Sequence, residues 1–341
     1  MRAANKSAEA AAKQPKIDER GRRRNAARKA RRLLEKKADS MPVVELKGPK
    51  QERVVDAELV DPSPRGGLTE VFQQRYLLKL IVTRQLAQMY AASLLGLLWS
   101  YIQPALRFAV YFAVFGIILK THAGTPNFAL HLFTGMVFVH YFTETWSGGT
   151  HSIWNNRALV LKMRVPREIF PVATMVVAAY HTGPQVLILV IAAALLGWHF
   201  SLAGLAAGVL GLAILVAFAM ALSLIFSALN VFFKDFQNIV ATFTQFLHFL
   251  VPMMYSYSYI AKMGEHHRWA YELYFADPLA EAVMLMQRLF WAPTLKPGQY
   301  ANEFPPDLWQ RGLIMFAACA VLLMLAQKFF SRLEGKFPER L

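Results

Sequence analysis

The chain has 341 residues, 55% of them hydrophobic and only 17% charged, with a formal net charge of +15. A soluble domain carries about 25% charged residues, and here the apolar residues fall in long runs, so a water-soluble globule is excluded and an integral membrane protein is expected. The single cysteine, Cys319, sits in an apolar run, excludes an intrachain disulfide and leaves the redox compartment undefined.

Residues 1–66 read as a basic extension. Between Met1 and Lys37 fourteen lysines and arginines stand against four acids, a local excess of +10. Such a tail suits anionic lipid, at about 1 kcal/mol per cation near the surface; beside a membrane domain, lipid is preferred to nucleic acid. A solvated tail that merely fixes topology explains the same charges. The stretch 1–18 has no apolar core of the kind a cleavable signal peptide needs. Residues 18–37 are rich in Ala and Arg, compatible with a helix that folds on a surface. Residues 38–66 carry Pro42, Pro49, Pro62 and Pro64 before Gly66-Gly67, the composition of a disordered linker.

From Thr69 to Tyr90 the pattern becomes helical. Leu77, Leu80, Ile81, Leu86 and Met89 recur at spacings of three and four among Arg75, Lys79 and Arg84. The segment is too polar to span and reads as an amphipathic helix lying in the inner interface, within a unit covering 67–93. A soluble helix packed on a partner has the same pattern.

Six spans follow, each meeting the requirement of about 20 apolar residues: Ser100 to Leu119, Phe128 to Ser152, Ile169 to Leu196, Leu202 to Leu229, Ile239 to Ile260, and Gly312 to Phe330. They form a transmembrane domain over 94–335, with a basic cytoplasmic tail at 336–341. Gly204, Gly208 and Gly211 mark a close helix contact. The loop after the second span holds Arg157, Lys162, Arg164 and Arg167, and the loop after the fourth holds Lys234 and Asp235. Cations gather on the cytoplasmic side, so both termini are placed inside. Leu159, Leu161, Met163 and Val165 add an apolar component to the first loop, which suits docking of a cytoplasmic partner. The stretch 277–291 has helical spacing but is too short to span, as a re-entrant or interfacial helix would be. Glu265-His266-His267 read as surface residues, and no metal site is expected.

Ionisable residues inside spans are functional candidates by default. Arg107 and Glu144 each lie about eight residues from the inner end of their spans, or about 12 Å deep at about 1.5 Å per residue. They are placed to pair. That pair either fixes helix register or leaves Arg107 to meet an anionic headgroup; His140, one turn from Glu144, also admits a proton relay. Trp99, Tyr101, Tyr111 and Tyr255 stand out among many aromatic residues that are otherwise interfacial belt or core. No G-x-x-x-x-G-K-[ST], H-E-x-x-H or G-x-S-x-G motif occurs. A pump of this kind takes its motor from another chain, and no catalytic residue is assigned.

Arg84-Gln85-Leu86, then Tyr90, Ser93, Leu95-Gly96, Trp99 and Pro104, resembles the start of the first span in ABC-2 type permeases. More narrowly, it resembles those exporting lipid-linked O-antigen, capsule, teichoic acid and galactan. Lys162-x-x-x-Pro166-Arg167-x-x-x-Pro171 is similar to that family's first coupling region. Phe233-Lys234-Asp235, Pro252 with Tyr255, and Asp277-Pro278 are similar to its later signatures. The resemblance covers about 70–335. It departs where Gln85 replaces a common acid and Met89 a common cation, leaving a less charged helix.

The resemblance implies two copies of this chain with two ATP-binding subunits, which hold the ATP and magnesium, in a bacterial plasma membrane. It implies a coupling set (Arg157, Lys162, Arg164, Pro166, Arg167, Lys234, Asp235) and a gate helix carrying Arg75, Lys79, Arg84 and Tyr90. Trp99, Tyr101, Arg107, Tyr111, Glu144 and Tyr255 are the candidates for a path taken by a polyprenyl-diphosphate-linked glycan. A permease for a small lipid or drug, and a non-transporting scaffold, are the alternatives.

Overall fold

The computed structural model describes residues 67–91, 94–120, 124–296 and 303–341. The expectations for the basic extension, for its surface-folded helix and for the linker lie outside the described residues. Among those described, regular structure is entirely helical.

Helices α1 (Gly67–Gln73) and α2 (Arg75–Tyr90) come first. Leu77, Leu78, Ile81 and Val82 of α2 pack on the bundle, chiefly against the third long helix. Tyr76, Leu80 and Met89 are exposed beside the exposed Arg75, Lys79 and Arg84. The helix therefore does not divide into one apolar and one basic face: its outward side mixes large apolar groups with cations. That mixture suits a boundary between headgroups and acyl chains, where both kinds of group find solvent.

Helix α3 (Trp99–Tyr111) runs on as wider π-helical turns over Phe112–Ile118, where the Leu119 amide reaches back five residues to the Val114 carbonyl at 2.9 Å. Helix α4 (Phe128–Asn155) is the buried spine of the bundle. The six-residue α5 (Arg157–Lys162) leads into α6 (Ile169–Leu195). Gly197, at φ +84°, supplies the left-handed turn before α7 (Leu202–Phe232), and the Ser201 hydroxyl caps that helix by accepting from the Gly204 amide at 3.3 Å. Next come α8 (Asp235–Leu250), the short α9 (Tyr257–His266) and α10 (Arg268–Tyr274), α11 (Pro278–Phe290) and the long α12 (Leu308–Glu334).

Four helices among the described residues are long and apolar enough to cross a membrane: Trp99–Ile118, Ile169–Leu195, Leu202–Phe232 and Leu308–Glu334. The other two predicted spans depart for different reasons. Helix α4 has the length, at 28 residues, but carries His131, His140, Glu144 and His151. Protein surrounds most of it, so its polar groups are met by neighbouring helices rather than lipid. The expected run from Ile239 to Ile260 is broken: α8 stops at Leu250 after 16 residues, about 24 Å of helix against a hydrocarbon layer of about 30 Å. Pro252, which has no N–H to donate, lies in the irregular stretch that follows. Its carbonyl accepts from Gln287 Nε2 at 2.8 Å, and the Met253 carbonyl accepts from His131 Nδ1 at 3.2 Å. Two buried side chains thus satisfy backbone that could not be left bare at this depth.

Helix α11 is almost wholly buried. Asp277 Oδ1 accepts from the Leu279 amide at 2.9 Å and Pro278 follows at the first helical position, a strong start signal. The glycine stripe of α7 is its seat. A Cβ at Gly211 would stand 2.9 Å from the Ala282 carbonyl and 2.9 Å from Leu285 Cβ, and one at Gly208 would overlap Leu289. The predicted close contact therefore joins α7 to α11, where packing rather than water exclusion supplies the attraction.

The contacts define two ends of the bundle. At one, Ile81, Val160, Val165, Phe170, Val231, Phe330 and Phe337 form a single apolar cluster. At the other, Trp291 Nε1 donates to the Pro126 carbonyl at 2.8 Å and Trp198 Nε1 to the Leu289 carbonyl at 2.8 Å.

Candidate functional site

The basic loop splits into two halves. In the first, α5 presents Arg157 and Lys162, with Arg164 just beyond, all exposed; Leu161 and Met163 are exposed among them, while Val160 is buried as an anchor. The Arg157 guanidinium stands 5.4 Å from the centre of the Trp154 ring, and Lys234 Nζ stands 3.9 Å from the same ring. The two polar loops, whose Arg157 and Lys234 lie 77 residues apart in sequence, therefore converge on one indole at the end of α4. Each contact of this type contributes about 0.5–1 kcal/mol at an exposed position. Asp235, exposed in the first turn of α8, completes the corner and complements that helix's dipole.

The second half turns inward. Pro166 and Arg167 are buried, Arg167 to 2% exposure. Its guanidinium lies 5.6 Å from the Phe337 ring centre. Burial lowers the Arg167 pKa, while the nearby Glu334 and Glu168 carboxylates act to raise it. Glu168 accepts from Gln327 Nε2 at 2.6 Å, and burial raises its carboxyl above the ordinary range. Arg167, expected to face a partner, instead ties the start of α6 to the far end of α12.

A second polar region lies within the bundle. Tyr90, the last residue of α2, has its hydroxyl 2.7 Å from Ser100 Oγ and 2.7 Å from His181 Nε2. His181 Nδ1 lies 2.5 Å from Glu144 Oε1, and His140 Nε2 lies 3.5 Å from Glu144 Oε2. Arg107 makes no ion pair with Glu144, contrary to the expectation from their equal depth. The two histidines, one from α6 and one a turn away on α4, hold the carboxylate instead. Arg107 is exposed in a groove of about 610 Å³, with Tyr111, His140, Thr143, Glu144, Gln245 and His248 along its walls. A separate cavity of about 480 Å³ is walled by Gln85, Gln88, Ser147, His151, Asn155 and Thr174, and Glu144 borders both spaces.

The remaining candidates do not gather here. Trp99 lines a smaller space of about 240 Å³ with Tyr90, His140 and Glu144. Tyr101 faces a different, apolar hollow with Phe108 and Phe133. Tyr255 is at the opposite end of the bundle, pairing with the Tyr274 hydroxyl at 3.1 Å and donating to the Phe249 carbonyl at 3.1 Å. Arg75, Lys79 and Arg84 point away from the bundle. Trp154, His181 and His248 were not singled out from sequence, although a histidine inside an apolar span is itself the signal that finds His181.

Comparison with known proteins gives consistent matches. The family profile described as "ABC-2 type transporter" matches residues 76–291. The O-antigen export system permease protein RfbA of Myxococcus xanthus is 27% identical over 275 residues, spanning 79% of this chain and 97% of that protein. A protein of the same name from Klebsiella pneumoniae is 25% identical over 269 residues, spanning 77% of this chain and 94% of the relative.

Proposed function

This chain belongs to the ABC-2 type transporter family, and on that premise we propose that it is the membrane subunit of an ATP-driven exporter moving a lipid-linked cell-wall polysaccharide across the plasma membrane. The relatives' names, O-antigen export permeases, support the cargo class. The cargo of this reading is a polyprenyl-diphosphate-linked glycan, and the direction is from inner to outer leaflet. The chain has no phosphate-binding loop of its own, so ATP and magnesium are held by a separate subunit. Two copies of each make the working complex. Both termini and the α5 end are cytoplasmic, six segments cross the membrane, α8 doing so together with the irregular stretch that follows it, and α11 enters from the outer side and returns.

The observation that carries the mechanism is the convergence of Arg157 and Lys234 on Trp154. An exposed basic and apolar corner, rigidly backed by α4, is where a cytoplasmic motor can push on the bundle. Val160 is buried in the same cluster as Val165 and Phe170, so a displacement of α5 is passed to the start of α6. Helix α2 is the element past which a lipid headgroup enters. Arg107, exposed in a groove that also holds His248 and Gln245, supplies positive charge for a diphosphate in transit.

Depletion of this chain in its native cell, followed by extraction of lipid-linked intermediates, tests the reading. A full-length lipid-linked glycan trapped on the cytoplasmic face is the expected product. Unchanged glycan export with a lost small lipid points to the alternative cargo, and unchanged export of every lipid leaves only a scaffold.

A further inference from the structure

We propose that Tyr90, His181 and Glu144 are positioning residues that hold the C-terminal end of α2 against α6 and α4, and thereby fix the wall of the polar cavity. The middle of α2 is held by apolar packing of Leu77, Leu78, Ile81 and Val82. Its end is not: Met89 is more than half exposed, Ala91 has left the helix at ψ 129°, and Leu94 beyond it is 99% exposed. The polar tie is what remains to secure the last two turns, which carry Gln85 and Gln88 as one side of the 480 Å³ cavity.

The chemistry of the tie is self-consistent. His181 is 3% exposed, and both of its ring nitrogens are engaged. With a neutral imidazole, Nδ1–H donates to the Glu144 carboxylate, Nε2 accepts the Tyr90 proton, and the Tyr90 oxygen accepts from Ser100. Each donor along this chain of contacts, from Ser100 through Tyr90 and His181 to Glu144, meets an acceptor. The ionisable groups around it include His140 on α4, beside Glu144, His151 further along α4, Tyr180 next to His181 on α6, and Arg107 of α3 and His248 of α8 across the groove. Because Glu144 borders the 480, 240 and 610 Å³ spaces alike, the tie sets where α2 stands relative to all three. Its functional consequence rests on the exporter reading, whereas its geometry does not.

The test uses the full chain, co-expressed with its ATP-binding subunit, in a Cys319→Ala background. Met89→Cys and Thr174→Cys, both lining the same cavity, report the position of α2 by cross-linking in native membranes with a bifunctional maleimide long enough to span it. The parent pair is expected to cross-link. Tyr90→Phe and His181→Gln each break the Tyr90–His181 bond and are each expected to lower the yield and the export rate at least about fivefold. The double variant should be no worse than the weaker single, since both remove the same link. Should Tyr90→Phe fail to accumulate, Ser100→Ala, which removes only the outermost bond, is expected to give a smaller drop in both readouts. A parent pair that does not cross-link overturns the proposal, as does a Tyr90→Phe yield equal to the parent's, with or without a fall in export. The cross-linking readout is independent of cargo, so a wrong cargo assignment is distinguishable from a wrong tie.

Discussion

Arg157 and Arg167 lie ten residues apart in one loop, carry the same charge and satisfy the same positive-inside rule. They nevertheless have opposite surroundings. Arg157 is exposed, resting on Trp154 beside Lys234. Arg167 is buried between Phe337 and the carboxylates of Glu334 and Glu168. Charge count orients a membrane protein, but burial decides whether a cation is available to a partner or spent on the fold. The exposed half of the loop suits docking, and the buried half holds α6 to α12.

The largest expected effect separates the two halves directly. Arg167→Ala removes a buried cation from beside the Glu168 and Glu334 carboxylates, and breaking a buried charge cluster costs about 3–5 kcal/mol. The permease should then fail to accumulate, measured as its level in membranes and its thermal midpoint in detergent, while Arg157→Ala leaves both unchanged. Equal behaviour of the two variants would remove the distinction.

A smaller loss is expected where packing rather than charge is at stake. Gly211→Val drives a side chain into the Ala282 carbonyl and Leu285, at a cost of about 1–3 kcal/mol by overpacking. The thermal midpoint should fall and partner binding to the folded fraction should persist. Weaker again in stability, but specific in function, is Trp154→Ala. It removes the common platform of Arg157 and Lys234 and should lower retention of the ATP-binding subunit several-fold at normal permease levels.

The smallest effect concerns pH. Burial raises the Glu168 carboxyl in the fold, so its contribution is fully present below the unfolded value of about 4.3 and is lost as pH rises through the folded value. Where Glu168 is ionised in the fold, that charge is a net cost that its partners only partly offset. Glu168→Gln keeps an acceptor for Gln327 and should be neutral or stabilising by less than about 1 kcal/mol. It should also flatten the decline of the thermal midpoint above about pH 4.3. A steeper decline in the variant would contradict the assignment.

Much of the architecture is legible in the hydropathy of the chain. The four apolar spans lie within a few residues of their expected ends because apolar runs bounded by turn residues fix them. The break at Val251–Pro252 is not legible that way. Val251, Met253 and Met254 continue the apolar run, and the carbonyls freed there are satisfied by His131 and Gln287 from distant sequence. Helix α4 reads as an ordinary span from its length, although its histidines and Glu144 already mark it as enclosed.

The candidate site is legible in its residue types rather than in its pairings. Glu144 is recognisable as an intramembrane acid, but its partner is His181 from a span whose other residues are mostly apolar, not the cation at matching depth. Depth along a helix says nothing of rotation about it, so Arg107 and Glu144 share a groove without touching. The same limit applies to the basic loop. The irregular chain from Met163 to Arg167 resets the phase after α5, and spacing alone cannot say which cations then face inward.

On the proposed function, the exposed half of the basic loop engages the motor while the buried half holds the bundle. The most direct measurement is the amount of ATP-binding subunit retained per permease on purification of an Arg157→Glu/Lys162→Glu variant. Normal permease levels with retention reduced at least about fivefold, the equivalent of roughly 1 kcal/mol, are the predicted result. Full retention, or loss of the permease itself, would contradict it.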